Sequence, residues 1–124
     1  MRIVVFDTDD ELAKSLGLFL RLNGYECFTT NNHVDALSLV NTYRPDVVVS
    51  EYFSNDDDYL KLFELIRQKQ KNTKIIVLTS ISYSLYEISF LYDLDIHSIF
   101  QKPFSPELLL DVIHAFEHKY LKVL

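Results

Sequence analysis

Short apolar runs alternate along the chain with longer stretches whose apolar positions recur at helical spacing. Ile3-Val4-Val5-Phe6 is the first run, residues 25–29 the second, and Val47-Val48-Val49 with Ser50 the third. Ile75-Ile76-Val77-Leu78-Thr79 and residues 96–101 follow. Runs apolar at successive positions predict strands buried on both faces, as in a parallel sheet covered by helices. Between them, Leu12, Leu16, Phe19 and Leu20 predict one helical face, and Val34, Leu37, Val40 and Asn41 a second. Leu60, Phe63, Leu65 and Ile66 predict a third. Leu108, Leu109, Val112, Ile113 and Phe116 predict the face of the last helix. A fourth helix is expected from Ser82 or Ser84 to near Asp93.

The polar punctuation agrees with this reading. Asp9 or Asp10 can cap the first helix, Asn31 or Asn32 the second, and Asp58 the third. Asn23-Gly24 and Tyr43-Arg44-Pro45 end helices. Ser105-Pro106-Glu107 starts one, with Ser as cap and Pro in the first turn. Residues 67–74 read as a basic, solvated helix tail. A strand–helix unit repeated five times predicts an α/β domain with a doubly wound, five-stranded parallel sheet.

The 124 residues fit a single domain, 1–124, whose last residues (120–124) are a helix end or the start of a linker. A hydrophobic share of 48% with 24% charged residues describes a globular chain. Two glycines and no GxGxxG or GxxxxGK[ST] pattern leave no glycine-rich phosphate loop. The net charge of −6 argues against direct binding to nucleic acid or an anionic membrane. No apolar run approaches the ~18 residues of a membrane span, so a cytoplasmic location is expected. The single cysteine, Cys27, allows no internal disulfide and reads as a small buried hydrophobe.

In open α/β sheets, ligands bind beyond the carboxyl ends of the strands. Those ends carry Asp7 with Thr8 and Asp9, then Glu51, then Thr79 with Ser80, then Lys102. Carboxylates hold divalent cations, while hydroxyl and ammonium groups bind phosphoryl oxygens. His114 and His118, one helical turn apart with Asp111 on a similar face, have metal-ligand spacing but read as a solvated helix face. Asp56-Asp57-Asp58 offers a second acceptor site, but a helix cap in a solvated loop is the common explanation.

The acidic end of the first strand, Pro45-Asp46, Thr79-Ser80 and Lys102-Pro103-Phe104 resemble the response-regulator receiver domains of two-component signalling, of the chemotaxis-receiver type. The resemblance covers essentially the whole chain and implies the flavodoxin-like (βα)5 receiver fold. In that family an Asp ending the third strand accepts a phosphoryl group from a histidine kinase, with Mg²⁺ held by acids after the first strand. The Thr/Ser and Lys then bind the phosphoryl group. The resemblance also implies a cis Lys102-Pro103 bond.

Against that pattern, Glu51 occupies the phosphoacceptor position and Thr8 the place of the second acid. Asp9 falls one place late. Tyr59 stands where Gly is usual, and Ile99 where the aromatic switch residue is usual. The extra methylene of Glu51 moves its carboxylate outward by ~1.5 Å, and a 1 Å misplacement costs transfer ~100-fold. The expectation is an atypical pseudo-receiver, not an enzyme. Mg²⁺ binding at Asp7 and Glu51 should be weak or absent. The domain should act by phosphorylation-independent contact with a protein partner or a second copy.

The resemblance implies that the face of the fourth helix, fifth strand and fifth helix would make that contact. Tyr83, Tyr86, Phe90, Tyr92, Ile99 and Phe100 cluster there, where exposed aromatics favour a partner site and core packing explains the others. Glu51 either reaches Lys102 and partly imitates the phosphorylated state, or merely satisfies that lysine. A Glu51 side chain directed away from Lys102 would dismiss the first reading. The alternatives are a receiver still phosphorylated on Glu51 or a nearby Asp, and the regulatory domain of a longer DNA-binding regulator.

Overall fold

The computed structural model describes residues 1–53, 56–80, 89 and 91–123, with residues 118–123 through their helical backbone alone. Its strands are β1 (Arg2–Phe6), β2 (Glu26–Thr30), β3 (Val47–Glu51), β4 (Lys74–Thr79) and β5 (Ile96–Gln101). Its helices are α1 (Asp10–Leu22), α2 (His33–Tyr43), α3 (Asp57–Lys69) and a C-terminal helix, Pro106–Val123. The strands form one parallel sheet in the order β2-β1-β3-β4-β5. The chain runs outward from β1 to β2, then crosses back to β3. Between β1 and β3, therefore, the winding reverses and a crevice opens at the carboxyl ends.

The apolar runs are buried on both faces as their composition requires. Val4, Phe6, Val48, Ile75 and Val77 pack against Ala36 and Val40 of α2 and Tyr59, Leu62, Phe63 and Ile66 of α3. Ile3, Val5, Val47, Val49, Ile76 and Leu78 meet Ala13, Leu16 and Leu20 of α1 and Leu109 and Ile113 of the C-terminal helix. Cys27 lies in this second layer, and burial pushes its thiol up to about 11.

Several helix faces sit rotated from the expected ones. Val34 is 80% exposed, because the buried side of α2 passes through His33, Ala36 and Val40 and turns Val34 about 100° outward. Asn41 is exposed as well. In α3 the inward residues are Tyr59, Leu62, Phe63 and Ile66, leaving Leu65 at the surface and Leu60 half-buried. Leu108 is exposed while Leu109 and Ile113 are buried. The cap of α3 is Asp56, whose Oδ1 accepts the Asp58 amide at 2.9 Å, and Asp58 itself lies inside the helix. Asp9 caps α1 and Asn32 caps α2.

Arg67 is not a solvated tail residue. Its guanidinium donates to the carbonyls of Thr73 at 2.8 Å, Leu94 at 3.1 Å and Asp95 at 3.2 Å, tying the end of α3 to the turn before β5. Residues 91–93 are helical, matching the expected end of a fourth helix. Its proposed starts at Ser82 and Ser84, and the aromatics Tyr83, Tyr86 and Phe90, lie outside the described residues.

Candidate functional site

Asp7 follows β1 directly and is fully buried. Its Oδ2 accepts from Lys102 Nζ at 2.6 Å, and its Oδ1 from the Asp9 amide at 2.9 Å. Across the crevice Glu51 ends β3 at 1% exposure. Its Oε1 accepts two hydrogen bonds, from the Tyr59 hydroxyl at 2.5 Å and the Thr8 amide at 2.9 Å. Its Oε2 faces Lys102 Nζ at 3.7 Å. One ammonium thus stands between two buried carboxylates.

The two acids are held differently. Burial, followed by the opposing Glu51, pushes Asp7 up to about 6, although Lys102 and the Asp9 amide pull the other way. Burial also raises Glu51, but its bonds from Tyr59 and Thr8 outweigh it and hold that carboxyl below the usual range. Glu51 is therefore the persistent anion, and Asp7 is the acid that takes a proton. Burial and the Glu51 charge push the Tyr59 hydroxyl far up, so it stays a donor.

The remaining strand-end residues fall into place around this core. Thr79 ends β4 buried, and its carbonyl accepts the Lys102 amide at 2.6 Å. Ser80 beside it is exposed. The Lys102-Pro103 bond is cis, as expected. Ile99 is half-buried on β5, opposite Val77, and packs against the α2–α3 side of the core. Asp9 contributes its backbone amide to the pocket, while its carboxylate caps α1 by accepting the Leu12 amide at 3.2 Å. His114 packs its ring against Tyr25 at 5.7 Å. The His118 side chain lies outside the described residues.

The family model of the response regulator receiver domain matches residues 3–114. The chain belongs to this family. Among curated relatives, the receiver is 32% identical to the response regulator MprA of Mycobacterium leprae over 115 residues, covering 93% of this chain and 50% of that one. It is 31% identical to the transcriptional regulatory protein GlrR of Escherichia coli over 78 residues, covering 63% of this chain and 18% of the other. The receiver thus spans half, or less, of the length of these relatives. A CheY-like receiver domain protein from Methanospirillum hungatei superposes with a TM-score of 0.86 at 21% identity, covering 98% of this chain and 96% of that one. This likeness shows a shared fold.

The strand ends bring Asp7, Glu51 and Lys102 of the receiver together as the sequence suggested, and place Thr79 on the Lys102 backbone. The residue that sequence reasoning missed is Tyr59. It was notable only for standing where Gly is usual, eight positions beyond Glu51. In the fold its ring stacks on Phe6 at 5.8 Å and meets His33 at 4.4 Å, which fixes its hydroxyl on Glu51. The signal lay in two replacements taken together: a longer acid, and a phenol able to hold it.

Proposed function

We propose that this receiver domain signals by phosphorylation-independent contact with a protein partner, with Glu51 occupying the phosphoacceptor position. The observation that carries this reading is the double clamp on Glu51 Oε1 by Tyr59 and Thr8. In-line attack on phosphorus needs the acceptor carboxylate placed to within ångströms. Here the longer side chain is instead fixed by two donors in a buried pocket, while Lys102 is bound to Asp7 and lies close to Glu51.

The donor set also fits Mg²⁺ poorly. That ion asks for six oxygens at 2.0–2.1 Å, usually one or two carboxylates plus phosphate and water. Asp7 and Glu51 already accept from an ammonium, two amides and a phenol, and Thr8 adds no charge. We therefore assign no Mg²⁺-dependent step to the pocket.

Glu51 is not directed away from Lys102, so a partial imitation of the phosphorylated state stands. It is incomplete, because the 3.7 Å approach is an ion pair rather than a hydrogen bond. The partner, or a second copy, would dock where the fourth helix, β5 and the C-terminal helix meet. Tyr92 and Leu108 are exposed on the elements that flank β5 in the sequence. A cytoplasmic location accords with this role. Among the described residues, no helix is long and apolar enough to cross a membrane.

Coverage of the relatives favours a second, compatible reading, in which the chain is the regulatory domain of a longer response regulator. Intact-mass measurement after incubation with Mg²⁺ and acetyl phosphate tests the main proposal. The expected result is an unchanged mass. A stable gain of one phosphoryl group, lost in Glu51→Gln, would overturn it.

A further inference from the structure

We propose that His33, Asp56 and Asp58 form a binding site for a transition-metal dication of the Zn²⁺ kind, separate from the strand-end pocket. His33 opens α2, Asp56 caps α3 and Asp58 lies in its first turn. One ligand atom from each residue lies within 4.8 Å of the others. Small side-chain rotations bring such a set to the roughly 2.0–2.2 Å distances of nitrogen and oxygen ligands on zinc.

Two acids at a helix start are ordinary by themselves; the imidazole is what makes this cluster different. Its ring is wedged between Phe6, at 4.8 Å and 70°, and Tyr59, at 4.4 Å and 64°. Packing therefore fixes its orientation. Among the described residues neither ring nitrogen has a hydrogen-bond partner. Nδ1 is buried and unpartnered, and Nε2 faces Asp56 Oδ2 at 3.9 Å, beyond hydrogen-bond reach. Asp56 uses Oδ1 for the Asp58 amide, which leaves Oδ2 on the side of His33. A nitrogen and a carboxylate oxygen held 3.9 Å apart, too far for a hydrogen bond, have roughly the separation of two ligands sharing one ion.

The donor types choose the ion. Imidazole nitrogen favours zinc, cobalt and nickel, whereas Mg²⁺ and Ca²⁺ prefer all-oxygen shells. Asp58 is exposed and Asp56 half-buried, so water can complete the coordination. The site does not rest on how Glu51 signals, since among the described residues that carboxylate pairs with Thr8, Tyr59 and Lys102 and not with these ligands. Tyr59 links the two, through its ring to His33 and its hydroxyl to Glu51.

Isothermal titration of the full chain with Zn²⁺ near neutral pH, repeated on Asp56→Asn and Asp58→Asn, tests the assignment. Asn caps helices as well as Asp does, so α3 keeps its start in the first variant, and circular dichroism verifies both folds. The expected result is one Zn²⁺ per chain, at least about tenfold weaker in each variant, with the His33 ring signals moving in the NMR spectrum. Titration with Mg²⁺ alone should leave those signals in place. The proposal fails if Zn²⁺ shows no saturable binding up to millimolar concentration. It fails equally if both variants bind as the parent does, or if the His33 signals stay still while heat is released.

Discussion

Tyr59 is the residue on which the pocket turns. A hydrogen bond to a buried charged group contributes about 1.5–3 kcal/mol, and removing its donor leaves the carboxylate poorly satisfied. Tyr59→Phe should therefore destabilise the domain by about that amount in urea denaturation at neutral pH, while its ring packing persists. Asp7 gives a second, opposite handle. Its carboxyl is raised from 3.8 to about 6, so between those values the folded chain holds a proton that the unfolded chain has released. Stability then rises as pH falls through 6, and the gain is complete below about 4. Going from about pH 7.5 to about pH 5 should add about 1 kcal/mol from this group, absent in Asp7→Asn. Glu51 works the other way: its contribution is present above its ordinary value of 4.5 and is lost as pH falls below it. Urea midpoints across that range measure both. None of this was legible from residue types alone. Tyr59, Thr8 and Glu51 meet only when β3, α3 and the β1–α1 turn are in place.

The elements themselves were legible because burial shaped their sequences. Val47-Val48-Val49 is apolar at consecutive positions, since the sheet is covered on both sides, and β3 appears where that run predicts. Helix faces were harder to read. A helix with apolar residues on more than half its circumference, such as α3 or the C-terminal helix, leaves a choice of about 100°, which the packing of a single ring decides. His33 settles α2 by turning inward, and Val34 is consequently exposed. Caps were ambiguous for a related reason: neighbouring Asp residues are chemically equal until the turn selects one, as with Asp56 over Asp58. Gly17 lets α1 lie close against β2. A Cβ there would collide with Thr29 Cγ2. The Thr side chain is stiff, so Gly17→Ala should cost about 1–3 kcal/mol through overpacking, against a helix-propensity gain of about 1 kcal/mol. A measured stabilisation in thermal melts would show that α1 can move away from β2.

At the scale of the whole molecule, the strand order decides what the chain can do. Because the winding reverses between β1 and β3, the acids ending those strands share one crevice. The cis Lys102-Pro103 turn after β5 adds a lysine to it. The strand-end pattern led to this family in the sequence, and the match over residues 3–114 shows it. What the pattern could not show is that the crevice is satisfied from within, because the replacements compensate one another only in three dimensions. The most direct test is a backbone amide NMR spectrum recorded before and after adding Mg²⁺ with acetyl phosphate. With the acceptor position already filled, the amides of Thr8, Thr79 and Lys102 should not move. A second set of peaks for these three residues, growing with the phosphodonor and absent in Glu51→Gln, would contradict the account.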